Sequence, residues 1–192
     1  MWCPLNQQIR LFQIENPPEA IHYNFLETKY GLIMMGVINP FSVDSKDQVA
    51  LCSLHFVDKH VVRTYDEVRK RWPGSPLEKN DPSVQLMADK LFGGDKENSE
   101  VIPIVTRGTK FQQTVWSALL DVKSGETCTY KQLAERIGRP TAVRAVANAV
   151  AKNDIAFLIP CHRIVSQNGA SKYHWGSALK QQLLDAEKNS NY

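Results

Sequence analysis

The feature that most constrains this chain is a change of grammar near Arg107. Before it, apolar residues come in short runs, Leu32-Ile-Met-Met-Gly-Val-Ile38 and Val49 to Val57, separated by Asn39-Pro40 and a polar loop. Runs of that length between turn residues read as an antiparallel strand pair. After it, each segment opens on a capping residue and closes on Gly or Pro, as short helices do. A chain of 192 residues that is 43% hydrophobic has enough apolar material for one domain or two small ones. The pattern predicts an α+β chain of two domains. Residues 1–105 form a small N-terminal antiparallel sheet with helices. Residues 106–192 form a mainly helical domain with a winged-helix-like helix-turn-helix.

In the first part, the Pro-rich first twenty residues read as an irregular lead-in. Thr64 caps a helix to Trp72 with Glu67 at the capping-box position, and Ser83 to Phe92 is a second helix ended by Gly93-Gly94. Val101 to Val105 is extended, its Pro103 arguing for a sheet edge. In the second part, Thr109 caps Lys110 to Val122, with Phe111, Val115, Ala118 and Leu119 on one face. Tyr130 to Ile137 and Thr141 to Lys152 are two helices joined through Gly138-Arg139-Pro140, which is helix-turn-helix spacing shared by many helical pairs. Asn153 to Ile159 reads as a buried extended segment.

Charge divides at the same place. Residues 1–106 carry 11 Lys and Arg against 14 Asp and Glu, and residues 107–192 carry 12 against 6. An anionic partner of the second half accounts for that excess, and so does a solvated basic face. The helix after Pro140 discriminates better. Val143, Val146, Ala147 and Val150 gather as its core face, leaving Arg144 and Asn148 among Ala145, Ala149 and Ala151. A helix face so bare lets another surface approach closely, either a DNA groove or a neighbouring part of the same protein. No apolar run is long enough to span a bilayer, and the N-terminus lacks the features of a signal peptide, so the expectation is an intracellular protein.

Of four scattered cysteines (Cys3, Cys52, Cys128 and Cys161), three read as buried filler. Cys161 stands beside His162, and an imidazole can make a thiol into a nucleophile. Such a pair alone is weak evidence, because strand neighbours point to opposite faces and contact requires a turn after Pro160 or a bridging water. Pro160-Cys161-His162-Arg163-Ile164-Val165 nevertheless resembles the active-site signature of the O6-alkylguanine-DNA alkyltransferases, the methylated-DNA–protein-cysteine methyltransferases. The resemblance extends in order and spacing through Gly108 to Trp116, Gly125 to Ala134, Arg144-Ala145-Val146, and Leu183-Leu184 with Glu187.

That resemblance implies repair of double-stranded DNA containing O6-alkylguanine, by a single irreversible transfer of the alkyl group to Cys161 after the nucleotide is flipped out. His162 is expected to take the thiol proton through a water, with Glu187 orienting the imidazole and Asn153 ordering the site. Arg144, with Ala145 and Asn148 on the same helix, is expected in the minor groove, filling the space of the extruded nucleotide. Tyr130 is expected at the DNA backbone and at the leaving base, and Ser171, Ile164 and Tyr173 at the substrate pocket. His174 and Trp175 read as packing residues near the rim of that pocket. No cofactor, metal or membrane is expected, and the protein is expected to be a monomer, in the nucleus of a eukaryote or the cytoplasm otherwise.

Some family members hold a structural zinc in the N-terminal part. The candidates here are Cys3, His22, Cys52, His55 and His60, and Cys52 and His55, three apart on a strand, fall on opposite faces. Where the family usually reads Ser-Gly, this chain has Ser171-Lys172 in a loop one residue shorter, which narrows the pocket or adds a phosphate contact. Two rivals follow from the same residues. An alkyl-lesion sensor lacks the cysteine that this chain has. A plain helix-turn-helix regulator needs polar base-reading side chains where this helix has alanines.

Overall fold

A computed structural model describes residues 8–43, 46–57, 61–93, 101–167 and 172–189. They form two compact units, Met1–Arg107 and Gly108–Tyr192. The first is built on a six-stranded sheet of β1 (Ile9–Gln13), β2 (Ile21–Thr28), β3 (Gly31–Val43), β4 (Lys46–Phe56), β5 (Leu77–Lys79) and β6 (Ile102–Thr106), in the order β1-β6-β4-β3-β2-β5. The expected hairpin is β3–β4, paired antiparallel with Ile33 opposite Phe56 and Met35 opposite Leu54. Helices α1 (Val61–Arg71) and α2 (Asp81–Phe92) accompany the sheet. Ile21, Met34, Ala50, Cys52, Val68, Trp72 and Val105 close its core, and the Trp72 indole donates to the Cys52 carbonyl. Cys52 is therefore packing material, as expected.

Four expectations for this unit need correction. The sheet is mixed, because β1–β6, β4–β6 and β2–β5 are parallel. The N-terminal segment is no irregular lead-in, since Ile9 to Gln13 pairs residue by residue with Ile102 to Thr106. That pairing puts β6 inside the sheet rather than at its edge. Pro103 is tolerated there because the Ile102 N–H donates to Gln8 on the β1 side, so alternation turns the Pro103 nitrogen toward β4, where pairing is limited to Leu51 and Ile104. Finally, Thr64 does not cap α1: the helix already runs from Val61, and Thr64 is buried inside it. Glu67 sits in mid-helix, bonded to Arg63 at 3.1 Å and 3.4 Å from His55.

The second unit contains α3 (Lys110–Leu120), β7 (Cys128–Thr129), α4 (Tyr130–Arg136), α5 (Val143–Val150), a 3₁₀ turn at Cys161–Arg163, β8 (Ile164–Val165) and α6 (Ser177–Asn189). Thr109 and Thr129 start α3 and α4 with reciprocal capping boxes to Gln112 and Gln132. Gly138, at φ +69, makes the tight turn out of α4, where a side chain would be strained. Val115, Trp116, Leu119, Leu133, Val146 and Val150 form the common core, and the Trp116 indole donates to the Ala149 carbonyl at 2.9 Å. Gly108 has to be glycine, because a Cβ there would meet the Trp116 ring at 2.7 Å.

Residues 153–159 are not extended. Ile155 makes an isolated bridge and residues 156–158 turn, with Phe157 at φ +46, a left-handed conformation rare for a bulky residue. The Asn153 side chain takes the place of a partner strand. Its Nδ2 donates to the carbonyls of Ile155 and Ile159 at 2.9 Å each, and its Oδ1 accepts from the Ile155 N–H at 3.0 Å. No helix among the described residues is long and apolar enough to cross a membrane.

Candidate functional site

Two local devices bring the expected residues together. Pro160 ends the turn segment and leads into the 3₁₀ turn, so Cys161 and His162 lie on a helical curve and not on a strand. Parallel pairing of β7 with β8, Cys128 with Ile164 and Thr129 with Val165, then draws the start of α4 beside that turn. Tyr130, the first residue of α4, thereby comes close enough to Cys161 that a thiolate there raises the proton affinity of its phenol, adding to the larger effect of burial.

Cys161 is buried, and burial pushes its thiol up to about 11, although the hydrogen bond from Asn153 Nδ2 at 3.1 Å and the charge of Lys180 both favour the thiolate. The resting residue is a protonated thiol that needs a base. His162, 1% exposed, is held below the ordinary imidazole range by burial, against the pull of Glu187. Burial opposes ionisation of Glu187, yet hydrogen bonds from His162 and Arg163 hold its carboxyl down at about 2. Glu187 is thus a carboxylate, and the 2.7 Å bond between His162 Nε2 and its Oε1 requires the imidazole proton on Nε2. Nδ1 then carries the lone pair, and it is buried with no hydrogen-bond partner among the described residues. A neutral imidazole with an unpartnered acceptor nitrogen, oriented by a carboxylate and next to a cysteine in the chain, has the residue set of a nucleophile triad.

The other expected positions sort as follows. Arg144, Ala145 and Asn148 are exposed on α5, and Ala151 follows them at the C-cap. Ala149 belongs to the opposite side: it is buried, with its carbonyl taken by Trp116, so the bare face is narrower than the sequence implied. Ile164 is fully buried on β8. Tyr173 stands edge-on to His162 with ring centroids 6.5 Å apart, its buried hydroxyl without a hydrogen-bond partner among the described residues. Burial raises its phenol well above the ordinary range. Trp175 packs edge-on against both Tyr173 and His174. Lys172 is exposed, and Ser171 lies outside the described residues. Of the zinc candidates, Cys3 and His60 also lie outside them, His22 sits between Asn80 and Glu78, and Cys52 is in the core.

Two members of the site escaped the sequence reading. Arg163 is 7% exposed and binds Glu187 through Nε and Nη2, and Lys180 is buried with its ammonium on the Ile164 carbonyl. Arg163 was visible only as part of a motif. Lys180 carried no signal, because a lysine in a polar helix is ordinarily solvated.

Asn153→Ala is expected to cost about 1–3 kcal/mol, since it removes the side-chain hydrogen bonds to the Ile155 and Ile159 carbonyls and takes the Oδ1 acceptor from the buried Ile155 N–H. It also removes one group that favours the Cys161 thiolate. Urea unfolding measures the first effect, and the pH dependence of thiol labelling measures the second.

Residues 110–189 match the family model described as the 6-O-methylguanine DNA methyltransferase DNA-binding domain. The inducible methylated-DNA–protein-cysteine methyltransferase of Bacillus subtilis is 34% identical over 137 residues, 70% of this chain and 76% of that protein. The regulatory protein ada of Salmonella typhimurium is 54% identical over 87 residues, 45% of this chain but only 25% of that longer protein. The crystal structure of Mycobacterium tuberculosis OGT in complex with DNA superposes with a TM-score of 0.62 at 29% identity, covering 88% of this chain and 93% of that one. With the buried Cys161 inside the matched region and a relative of 34% identity covered over 76% of its length, the chain belongs to the methylated-DNA–protein-cysteine methyltransferase family.

Proposed function

We propose that this protein repairs DNA by moving the alkyl group from O6 of guanine to its own Cys161, once per chain. The observation that carries this reading is the Cys161 thiol, held by Asn153 beside a neutral His162 whose other nitrogen is fixed by Glu187. The sulfur attacks the alkyl carbon, the S–C bond forms as the C–O6 bond breaks, and the thiol proton passes toward His162 Nδ1. Among the described residues Nδ1 has no hydrogen-bond partner, so a water between thiol and imidazole is the natural carrier. The leaving guanine is protonated in turn, and the Tyr130 phenol, within electrostatic reach of Cys161, is our candidate for that proton. The product is a thioether that no group in the site can hydrolyse, so the chain is consumed.

The alkyl carbon lies inside a base pair, and the nucleotide has to leave the stack at a cost of a few kcal/mol. The exposed α5 face, with Arg144 among small residues, suits entry into the minor groove with the guanidinium in the vacated space. The protein acts as a monomer. A lesion sensor is disfavoured by the presence of Cys161 and the thiol-directed contact from Asn153.

The test is intact mass after incubation with duplex DNA containing O6-methylguanine. One methyl per chain, mapped to Cys161, is expected. DNA binding with no adduct overturns the transferase reading. Arg144→Ala is expected to slow transfer from duplex DNA by on the order of 10- to 100-fold, a few kcal/mol of lost wedge. It should leave the reaction with free O6-benzylguanine unchanged, because a free base needs no flipping, and single-turnover assays with the two substrates compare the effects.

A further inference from the structure

The Glu187 carboxylate has more partners than orienting a histidine requires. Oε1 receives His162 Nε2 at 2.7 Å and Arg163 Nη2 at 2.9 Å, while Arg163 Nε lies 3.1 Å from both oxygens. Oε2 also accepts the Gly125 N–H at 3.2 Å. The remaining arm of Arg163, Nη1, donates to the Val122 carbonyl just beyond α3. One guanidinium therefore ties the active-site turn to α6 and to the end of α3, with Arg163, Glu187 and His162 all under a tenth exposed.

A lone buried carboxylate would attract a proton onto the imidazole it holds, because the resulting ion pair is the cheapest way to neutralise it. Here the guanidinium already balances that charge. With His162 neutral, the trio of Arg163, Glu187 and His162 has no net charge. A proton on His162 leaves it one positive, out of water and beside Lys180. Among the described residues, the titratable groups around the imidazole are Glu187 and Lys180 from α6, Arg163 from its own turn and Tyr173 from the loop before α6, with Cys161 its neighbour in the chain.

We infer that Arg163 is a positioning residue of the transfer reaction: by clasping Glu187 it keeps His162 neutral, with Nδ1 unprotonated and able to accept a proton. The catalytic consequence rests on the transfer reading above, but the protonation of the ring does not. Lysine is not equivalent, because its single ammonium lacks the planar fork that spans both oxygens.

The decisive experiment titrates the histidine rings of the free, folded protein by NMR, assigning His162 by the signal lost in His162→Gln. In Arg163→Met the His162 midpoint is expected to rise by at least about one pH unit, with a smaller rise in Arg163→Lys. In Arg163→Met carrying Glu187→Gln as well, where both charges are gone, the midpoint should fall back toward that of the parent. The acid limb of single-turnover methyl transfer should move upward with the ring. An unmoved ring midpoint in a folded Arg163→Met overturns the inference and leaves Arg163 a purely structural tie. Should Arg163→Met not fold, Arg163→Lys decides alone, and no rise there overturns it equally. A shifted ring in a protein that forms no adduct at all would sink the transfer reading while sustaining the role of Arg163.

Discussion

A chain carrying Cys161→Ser is expected to form no detectable alkyl adduct while folding and binding DNA as the parent does. The magnitude comes from the chemistry of the site. Removing the nucleophile of a relay in which the parts act together costs on the order of 10⁶ in rate. A serine hydroxyl is far less nucleophilic than a thiol, and Asn153 would hold it as a neutral donor or acceptor. The volume change is small, and Asn153 can still donate to the hydroxyl, so stability should shift by no more than about 1 kcal/mol. Intact mass reads the adduct, a gel-shift titration reads binding, and thermal unfolding verifies the fold. An adduct that persists in Cys161→Ser would place the acceptor elsewhere, with Cys128 and Cys52 the other described cysteines.

Glu187→Ala should be the most destabilising single change in the second unit. It leaves the Arg163 guanidinium buried without its counter-charge and the His162 imidazole without its orienting acceptor, a situation that costs about 3–5 kcal/mol. Glu187→Gln, which still accepts a hydrogen bond, should lose less. The same residue dictates an acid response. Its folded carboxyl, at about 2, lies below the value of an unfolded glutamate near 4.5, so folding is favoured by roughly 3 kcal/mol at pH values above the unfolded value. That contribution should decline as pH falls from about 4.5 to about 2, and Glu187→Gln should flatten the decline. Urea unfolding as a function of pH checks both. Equal acid sensitivity of parent and Glu187→Gln would show that other carboxylates dominate.

The transfer rate should rise with pH only through the His162 midpoint and then level, where an ordinary thiol displacement keeps rising toward the thiol's own range. Cys161 remains protonated across the physiological range, so raising pH alone does little to create thiolate, and the rate depends on His162 staying neutral. A rate that tracks free thiolate up to high pH would argue against the relay.

Local patterns made much of this protein legible in its sequence. The capping residue Thr109, the stop at Gly138 and the hairpin of β3 and β4 are short-range decisions, made by hydrogen bonds and φ angles within a few residues. The motif around Cys161 and the distant Glu187 were readable through resemblance. The parallel pairing of Ile9–Gln13 with Ile102–Thr106 was not, because partners nearly a hundred residues apart leave no trace in local alternation. The same holds for the three residues of β5, too few to show a period.

The cysteine at position 161, its histidine neighbour and the sparse helix bearing Arg144 were determined by the sequence alone, since each is a matter of residue identity at a spacing. Only the tertiary structure decided the protonation of the site. Burial raised the thiol and lowered the imidazole, and the convergence of Arg163, Glu187 and Gly125 from separate elements settled which nitrogen of His162 holds its proton. Charge states depend on what surrounds a group in three dimensions, and that environment exists only once the chain has folded.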